Sequence, residues 1–192
     1  MPPKPIAVVV FGSSRVRRGS APYEQARELG RELAARGLAV CSGGYGGVME
    51  AVSRGAREAG GHAIGITARV FRSRANPWIE REIRVRSWQE RLFELVGRGR
   101  GYVVCPGGSG TLVELAVVWE LLNKGLTRAK PLVVLGSFWM PVIEHVIRGE
   151  IGPSSEGRTR GARVIHLAAS PADAARYLGE QLSVPLRPVR LG

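Results

Sequence analysis

The sequence predicts a doubly wound α/β fold, a single domain built around a mostly parallel β-sheet. Short runs of β-branched and other apolar residues, such as PIAVVVF at 5–11, alternate along the chain with stretches whose apolar residues recur every three or four positions. The first pattern is typical of buried parallel strands and the second of crossover helices. Glycine-rich turns follow three of the predicted strands. Regular alternation of this kind favours a parallel sheet with helices on both faces.

The first half of the chain contains strands, helices and one long arginine-rich loop. In the first predicted helix the apolar residues from Ala26 to Ala34 share one face, and Gly37 is placed to end it. The loop includes Pro77 and leads into a short strand near EIRVRS. In order, the predicted elements are strand 5–11, helix 21–37, strand 38–44, helix 47–61, strand 62–67 and loop 68–86.

The second half continues the alternation. Ser170 and Pro171 form a good N-cap and first helical position for the last helix. We expect the domain to cover 1–183 and the proline-containing tail 184–192 to be flexible. The predicted elements are helix 88–99, strand 102–108, helix 111–125, strand 130–136, helix 138–149, a mobile polar loop at 151–162, strand 163–168 and helix 170–182.

Length and apolar content indicate a protein with a substantial core and no membrane segment. No apolar run approaches the roughly 20 residues that cross a bilayer, and the opening run is too short for a secretory signal. Cys41 and Cys105 each end a β-branched run, which predicts buried, reduced thiols and a cytoplasmic protein. His62, His145 and His166 are scattered, so no metal site is expected.

The formal charge of +12 raises the question of a nucleic-acid partner. Of the 28 basic residues all but three are arginine, and the densest stretch, 69–100, is interleaved with glutamates. It lacks an RNA-binding aromatic signature and zinc-finger spacing. We therefore expect surface ion pairs and a few phosphate contacts rather than a nucleic-acid track.

The three glycine-rich turns are FGSSR, SGGYGGVME and PGGSGTLVE. Glycine after a buried strand lets a ligand approach the backbone, and the start of the following helix attracts anions. No turn has the full G-x-G-x-x-G pattern or a Walker lysine, which argues against a dinucleotide cofactor or a P-loop, and no cofactor is expected. The predicted ligand-binding residues are Gly12, Ser13, Ser14, Gly44, Gly46, Gly107, Gly108, Ser109, Gly110 and Thr111.

The third turn also has a purely structural interpretation. Thr111 and Glu114 form T-x-x-E, the pattern of a capping box, in which Glu114 would return to the Thr111 amide. Alternatively, the turn holds a phosphate or sugar and Glu114 points at the sugar. Spacing alone favours the capping box.

The third turn, PGGSGTLVE, resembles the P-G-G-x-G-T-x-x-E signature of the LOG proteins. VVVFGSSR is similar to their first strand and turn, SGGYGGVMEAVSRGAREAGG to their second turn and helix, and WQERLFELV to the segment that carries an arginine–lysine pair. The resemblance covers about 6–148. It implies a Rossmann-like homodimer that hydrolyses the N-glycosidic bond of AMP or cytokinin-type nucleotides, with Arg91 and Glu114 as the catalytic pair.

Three departures mark a divergent member. Leu92 stands where the family has lysine, Val113 where it has a first glutamate, and Glu50 where its second turn ends in glycine. They leave open a non-catalytic nucleotide or molybdopterin-cofactor binder as the alternative, and the charge leaves open a DNA-handling protein. Tyr45 could stack on a base or only pack. The apolar faces 119–122 and 92–95 fit either a dimer interface or the core.

Overall fold

The computed structural model describes residues 5–149 and 164–182, in which seven parallel strands form one sheet. The strand order is β4-β3-β2-β1-β5-β6-β7. All residues of β1, β2, β5 and β6 are buried, as their continuous apolar runs predict. The predicted doubly wound α/β fold is confirmed. The strands are β1 (Ala7–Phe11), β2 (Ala39–Ser42), β3 (Ala63–Ala68), β4 (Arg81–Val85), β5 (Gly101–Val104), β6 (Leu132–Leu135) and β7 (Ile165–Ala168).

In the part of the chain that the structure describes, six helices cover the sheet, three on each face. Successive residues of β1 alternate between the two sides: Val8 and Val10 pack with α1, α2 and α6, whereas Val9 and Phe11 pack with α3, α4 and α5. The helices are α1 (Ala21–Ala35), α2 (Val48–Glu58), α3 (Trp88–Arg98), α4 (Ser109–Asn123), α5 (Met140–Gly149) and α6 (Pro171–Gln181). Among the described residues, none of these helices has the length and apolarity to cross a membrane.

The capping predictions have mixed outcomes. Ser170 Oγ accepts a hydrogen bond from the Asp173 amide at 3.2 Å, which confirms it as the N-cap of α6. The capping-box interpretation of Thr111 is wrong. Helix α4 begins at Ser109, two residues before Thr111, and its N-cap is Gly108, without a side-chain capping bond. Thr111 is therefore already inside the first turn of α4, and it is not the N-cap that a capping box requires.

Several other expectations can be compared with the burial pattern. Both thiols, Cys41 and Cys105, are buried and free. Leu92, Leu95 and Trp119 are buried within the chain's own core, so core packing explains these apolar residues. The predicted loop at 151–162 and the tail 184–192 lie outside the described residues.

Surface arginines are engaged in ion pairs on the α1–α2 face. Arg27, Arg31 and Arg54 all donate to the carboxylate of Glu58, at distances of 2.8–2.9 Å. Their hydrogen bonds, that of Arg27 above all, lower the pKa of Glu58 to about 2. These pairs support the interpretation of the arginine excess as surface ion pairing.

Strands β1 and β5 lie side by side at the centre, where the order of the sheet reverses. Beyond their carboxyl ends the connections diverge to opposite faces, and this is where doubly wound folds bind ligands.

Candidate functional site

A cavity of about 480 Å³ lies at this reversal point. The turns after β1 and β5 are joined directly, because the Ser13 amide donates to the Pro106 carbonyl at 3.2 Å. Segments far apart in sequence thus share one wall. The lining residues are Gly12, Ser13, Ser14, Arg15, Tyr45, Met49, Phe71, Ser73, Trp88, Arg91, Gly108, Ser109, Gly110, Thr111 and Glu114.

The first turn of α4 supplies backbone donors to this cavity. The Leu112 amide is the first to bond within the helix, to the Gly108 carbonyl at 3.0 Å. The preceding amides of the turn have no helical partner, and the helix dipole adds positive charge there. A Cβ built on Gly108 meets no atom within 4 Å, so space for a ligand remains open beside this backbone. This end of the cavity can hold an anion such as a phosphate.

Arg91, on α3, crosses the floor of the cavity with a buried guanidinium. Its Nε donates to the Ile66 carbonyl at 2.9 Å, and its Nη2 lies 3.7 Å from Met49 Sδ. The guanidinium carbon is 5.5 Å from the centre of the Tyr45 ring and 5.9 Å from that of Phe71. Burial lowers the pKa of Arg91 from its usual value, although nearby Glu114 opposes this shift.

Gly43 makes room for that guanidinium. A Cβ at this position would lie 1.5 Å from Arg91 Nη2 and 2.7 Å from Met49 Sδ, closer than atoms can approach. The turn after β2 therefore positions Arg91 by the absence of a side chain. Sequence reasoning did not select Gly43, because nothing in the turn itself shows that an arginine from a distant helix packs behind it.

Glu114, on α4, faces Arg91 across the cavity. Its Oε1 is 3.8 Å from Arg91 Nη1, and its side chain is 15% exposed. Burial raises the pKa of Glu114 to about 7, and the positive charge of Arg91 partly opposes the increase. Within the described part of the chain no group donates a hydrogen bond to this carboxyl. It can therefore exchange a proton near neutral pH and remains available to a water molecule or a ligand hydroxyl.

The structure brings most, but not all, predicted binding residues to the cavity. Gly12, Ser13, Ser14 and the run 108–111 line it. Gly44, Gly46 and Gly107 do not. Gly44 has a φ of +76°, and its carbonyl accepts from the Asn76 amide at 2.8 Å. Gly107 lies against Thr111, whose Oγ1 would be 2.2 Å from an added Cβ.

An aromatic group on the far side of the cavity was largely missed from the sequence. Tyr45, Phe71 and Trp88 line it, and Tyr45 meets Phe71 edge to face with ring centres 5.7 Å apart. The Tyr45 hydroxyl also accepts from the Ala68 amide at 3.0 Å, which fixes the ring. Tyr45 thus packs and is also available for a planar ligand group. Phe71 lies outside the helices and strands, so its sequence context gives no periodic signal. Trp88 does have such a signal, because it precedes Arg91 by one helical turn on α3.

No group of three or more histidine, cysteine, aspartate or glutamate side chains that could hold a metal ion occurs in 5–149 or 164–182. The chemistry available in the cavity is that of backbone donors, a buried cation and a carboxyl that can change its protonation state.

Curated relatives carry names that fit such a cavity. The probable cytokinin riboside 5'-monophosphate phosphoribohydrolase LOGL9 of rice is 37% identical over 132 residues, which are 67% of this chain and 57% of that protein. The chain thus spans little more than half of its length. The cytokinin riboside 5'-monophosphate phosphoribohydrolase of Mycobacterium tuberculosis is 35% identical over 58% of this chain and 61% of that protein. The pyrimidine/purine nucleotide 5'-monophosphate nucleosidase of Escherichia coli K12 is 30% identical over 69% of this chain and 31% of that protein.

Solved structures share the fold. The molybdenum cofactor carrier protein of Chlamydomonas reinhardtii superposes with a TM-score of 0.73 over 94% of this chain and 99% of its own, at 23% identity. The structure of TM1055 gives a TM-score of 0.71 at 28% identity, over 91% of this chain and 99% of its own. DNA processing protein A of Streptococcus pneumoniae is more distant, with a TM-score of 0.60 at 16% identity, over 90% of this chain and 62% of its own. At identities below 25% the likeness concerns the fold alone.

The family model of the SLOG cluster4 family matches residues 5–152, well over half of the chain. The match contains both the cavity and the turns that form it, and the LOG names of the relatives agree with it. The protein therefore belongs to the SLOG cluster4 family and is LOG-like.

Proposed function

We propose that the protein is a nucleoside 5′-monophosphate phosphoribohydrolase, which converts AMP or a cytokinin-type nucleotide to free base and ribose 5-phosphate. One observation carries the proposal: Arg91 and Glu114, 3.8 Å apart, line the same cavity as the open first turn of α4. The names of the relatives support this reaction class.

The distances along α4 suit a nucleotide. Glu114 lies three residues beyond Thr111, which is roughly one helical turn or about 5 Å along the axis. A phosphate held by the amides of the first turn would leave its ribose beside this carboxyl. The open space at Gly108 admits the phosphate close to the backbone. Binding energy at the phosphate would thus orient the bond to be broken.

The reaction needs a negative charge beside the sugar and a proton acceptor. As the C1′–N bond breaks, its electron pair leaves with the base and positive charge develops on the ribose. The ionised Glu114 stabilises that charge and accepts a proton from the water whose oxygen bonds to C1′. Arg91 favours the ionised form of Glu114, since its positive charge lowers the pKa of that carboxyl.

The non-catalytic binder remains the alternative, and the positions of the three family departures bear on it. Leu92 is buried in the core and Val113 packs against it, and neither lines the cavity. Glu50 is bound elsewhere, since Arg18 Nη2 lies 2.6 Å from its Oε1. The side chains at these three positions thus leave Arg91, Glu114 and the first turn of α4 in the cavity, which is the arrangement that hydrolysis requires.

Incubation with AMP, followed by chromatography for adenine, separates the two functions. We expect the wild type and the control Glu180→Gln, an exposed carboxyl on α6, to release adenine. Glu114→Gln should bind AMP without releasing base. If the wild type binds AMP but releases no adenine, the protein is a binder. N6-modified adenine nucleotides in the same assay test the cytokinin-type substrate.

We also infer a homodimer that forms through α4 and α5. Apolar residues surround α4 instead of occupying one face, although part of the helix is exposed. Leu112, Val142 and Val146 are exposed along a groove of about 250 Å³ between these helices. A second copy of the same groove would cover them. Light scattering should give twice the chain mass for the wild type and the monomer mass for Val146→Asp.

We also propose that the protein is cytoplasmic, which the buried free thiols Cys41 and Cys105 fit.

A further inference from the structure

A second cavity, of about 690 Å³, lies at the amino-terminal end of the sheet, opposite the proposed active site. It is bounded by the end of α3, the segment that leads into β6, and the end of α6. Both adjoining strands, β5 and β6, begin at this end. The lining residues are Gly97, Gly99, Arg100, Thr127, Arg128, Ala129, Lys130, Pro131, Gln181 and Leu182.

The charges around this cavity are all of one sign. Arg100, Arg128 and Lys130 line it, and no carboxylate is among the described lining residues. Arg100 and Arg128 form no ion pair with any described carboxylate, in contrast to the paired arginines on α1 and α2. Within 5–149 and 164–182, both arginine forks are therefore without an acidic partner.

Lys130 is held in place although it has a like charge beside it. Its Nζ donates to the Tyr102 hydroxyl at 3.0 Å and to the Val96 carbonyl at 3.4 Å, which leaves one of its three donors unused. Burial and the neighbouring charge of Arg100 lower the pKa of Lys130. Lys130 and Arg100 thus place two positive charges side by side, and a bound anion would balance them.

Helix ends do not supply enough negative charge to account for these cations. The carboxyl ends of α3 and α6 adjoin the cavity. Each helix end carries roughly half a negative charge, and this effect is screened within the last turn. Two ends give about one negative charge against three positive side chains, so a net positive charge remains.

We propose that this cavity binds a small phosphate-bearing molecule with two or more negative charges, at a site separate from the nucleotide cavity. The planar forks of Arg100 and Arg128 suit bidentate contact with phosphate oxygens, and Thr127 and Gln181 add neutral donors. The cavity of about 690 Å³ has room for a di- or triphosphate. The proposal does not depend on hydrolysis at Glu114.

Tripolyphosphate titrated into ¹⁵N-labelled protein tests the site residue by residue, and the chain of 20.7 kDa suits this measurement. We expect saturable amide shifts at 97–100, 127–130 and 181–182, with an affinity distinct from that of any shifts at 12–15 and 108–111. Arg100→Gln/Arg128→Gln should weaken binding at the first set by roughly tenfold or more, since each removes a charge-assisted contact. Both side chains are exposed, so the fold should persist.

The matched control is Arg84→Gln/Arg86→Gln, which removes two exposed arginines from the β4 edge and gives the same net charge. It should leave the affinity at 97–100 and 127–130 unchanged. Equal weakening by both double variants would show a general charge effect and overturn the proposal. Shifts confined to the nucleotide cavity would overturn it too, as would a response to single-stranded DNA without one to tripolyphosphate.

Discussion

The turns after β2 and β5 look alike in sequence, SGGYGG and PGGSG, but the structure uses their glycines in different ways. In the turn after β2, Gly43 lies against the Arg91 guanidinium and Gly44 adopts a φ of +76°. In the turn after β5, Gly108 faces open space at the start of α4. One turn supports a side chain from behind, and the other exposes its backbone to a ligand.

This difference shows what a glycine-rich motif specifies. Protein atoms occupy the place of a Cβ at 43–44, and Thr111 does so at Gly107, whereas the space beside Gly108 is open. Substitutions that add a Cβ should therefore have different effects in the two turns. In the turn after β2 they should change the catalytic rate or the stability, and at Gly108 they should change KM.

Gly43→Ala should have the largest effect. Its Cβ would displace the Arg91 guanidinium, and misplacement of a reacting-site group by about 1 Å can cost roughly a hundredfold in rate. Because Arg91 lowers the pKa of Glu114, its displacement should also raise that pKa above about 7 and shift the pH profile of kcat/KM upward. The measurement is adenine release from AMP between pH 5 and 9.

The control for Gly43→Ala is Gly97→Ala on α3, where an added Cβ meets no atom within 4 Å. It should retain both rate and pH profile. A slow Gly43→Ala variant with an unchanged pH profile would mean that the fold was damaged without movement of Arg91, and would contradict the positioning role of Gly43.

Gly108→Val should mainly weaken substrate binding. Its side chain would enter the space beside the free amides of α4 and obstruct a phosphate, without meeting protein atoms at its Cβ. We expect KM for AMP to rise by roughly tenfold or more, since charge-assisted hydrogen bonds are lost. Steady-state kinetics checks this, and an unaltered KM would place the phosphate elsewhere.

Gly44→Ala should change stability and leave KM nearly unaltered. A left-handed φ costs a non-glycine residue about 1–3 kcal/mol, and the new Cβ would lie 3.0 Å from Thr67 Cγ2. Urea unfolding should show this loss for Gly44→Ala and little loss for Gly108→Val. The reverse order of stabilities would refute the assignment of the two turns.

The fold was predictable because its signals are local and repeated. Every described strand except β4 contains a short apolar run, and the Ser170–Pro171 cap marks the start of α6. Strand 102–108 was predicted too long, because β5 ends at Val104 and, after a last hydrogen bond from the Cys105 amide to the Phe11 carbonyl at 2.9 Å, the chain turns. Such errors come from turns, whose shape depends on contacts that local patterns do not contain.

The site was only partly predictable for the same reason. The resemblance to the LOG signature pointed to Arg91 and Glu114, and the structure places them 3.8 Å apart. The helix start was misplaced at Thr111, since T-x-x-E also fits a capping box. Gly43 and Phe71 gave no signal, because their role arises from packing between segments distant in sequence.

The last expected effect is on the pH dependence of stability, and it concerns the α4 side of the cavity. Burial raises the pKa of Glu114 from 4.5 to about 7 in the folded protein. Between these values the folded state binds a proton that the unfolded state has released, so this group's contribution to stability falls as pH rises from about 4.5 to about 7. Glu114→Gln has no charge to bury and should gain stability relative to the wild type over that window. Urea midpoints of both proteins at pH 4.5, 6 and 8 measure the gain. A constant difference would mean that Glu114 has the same pKa in the folded and unfolded protein, so that the attraction of Arg91 at 3.8 Å fully offsets the cost of burying the carboxylate.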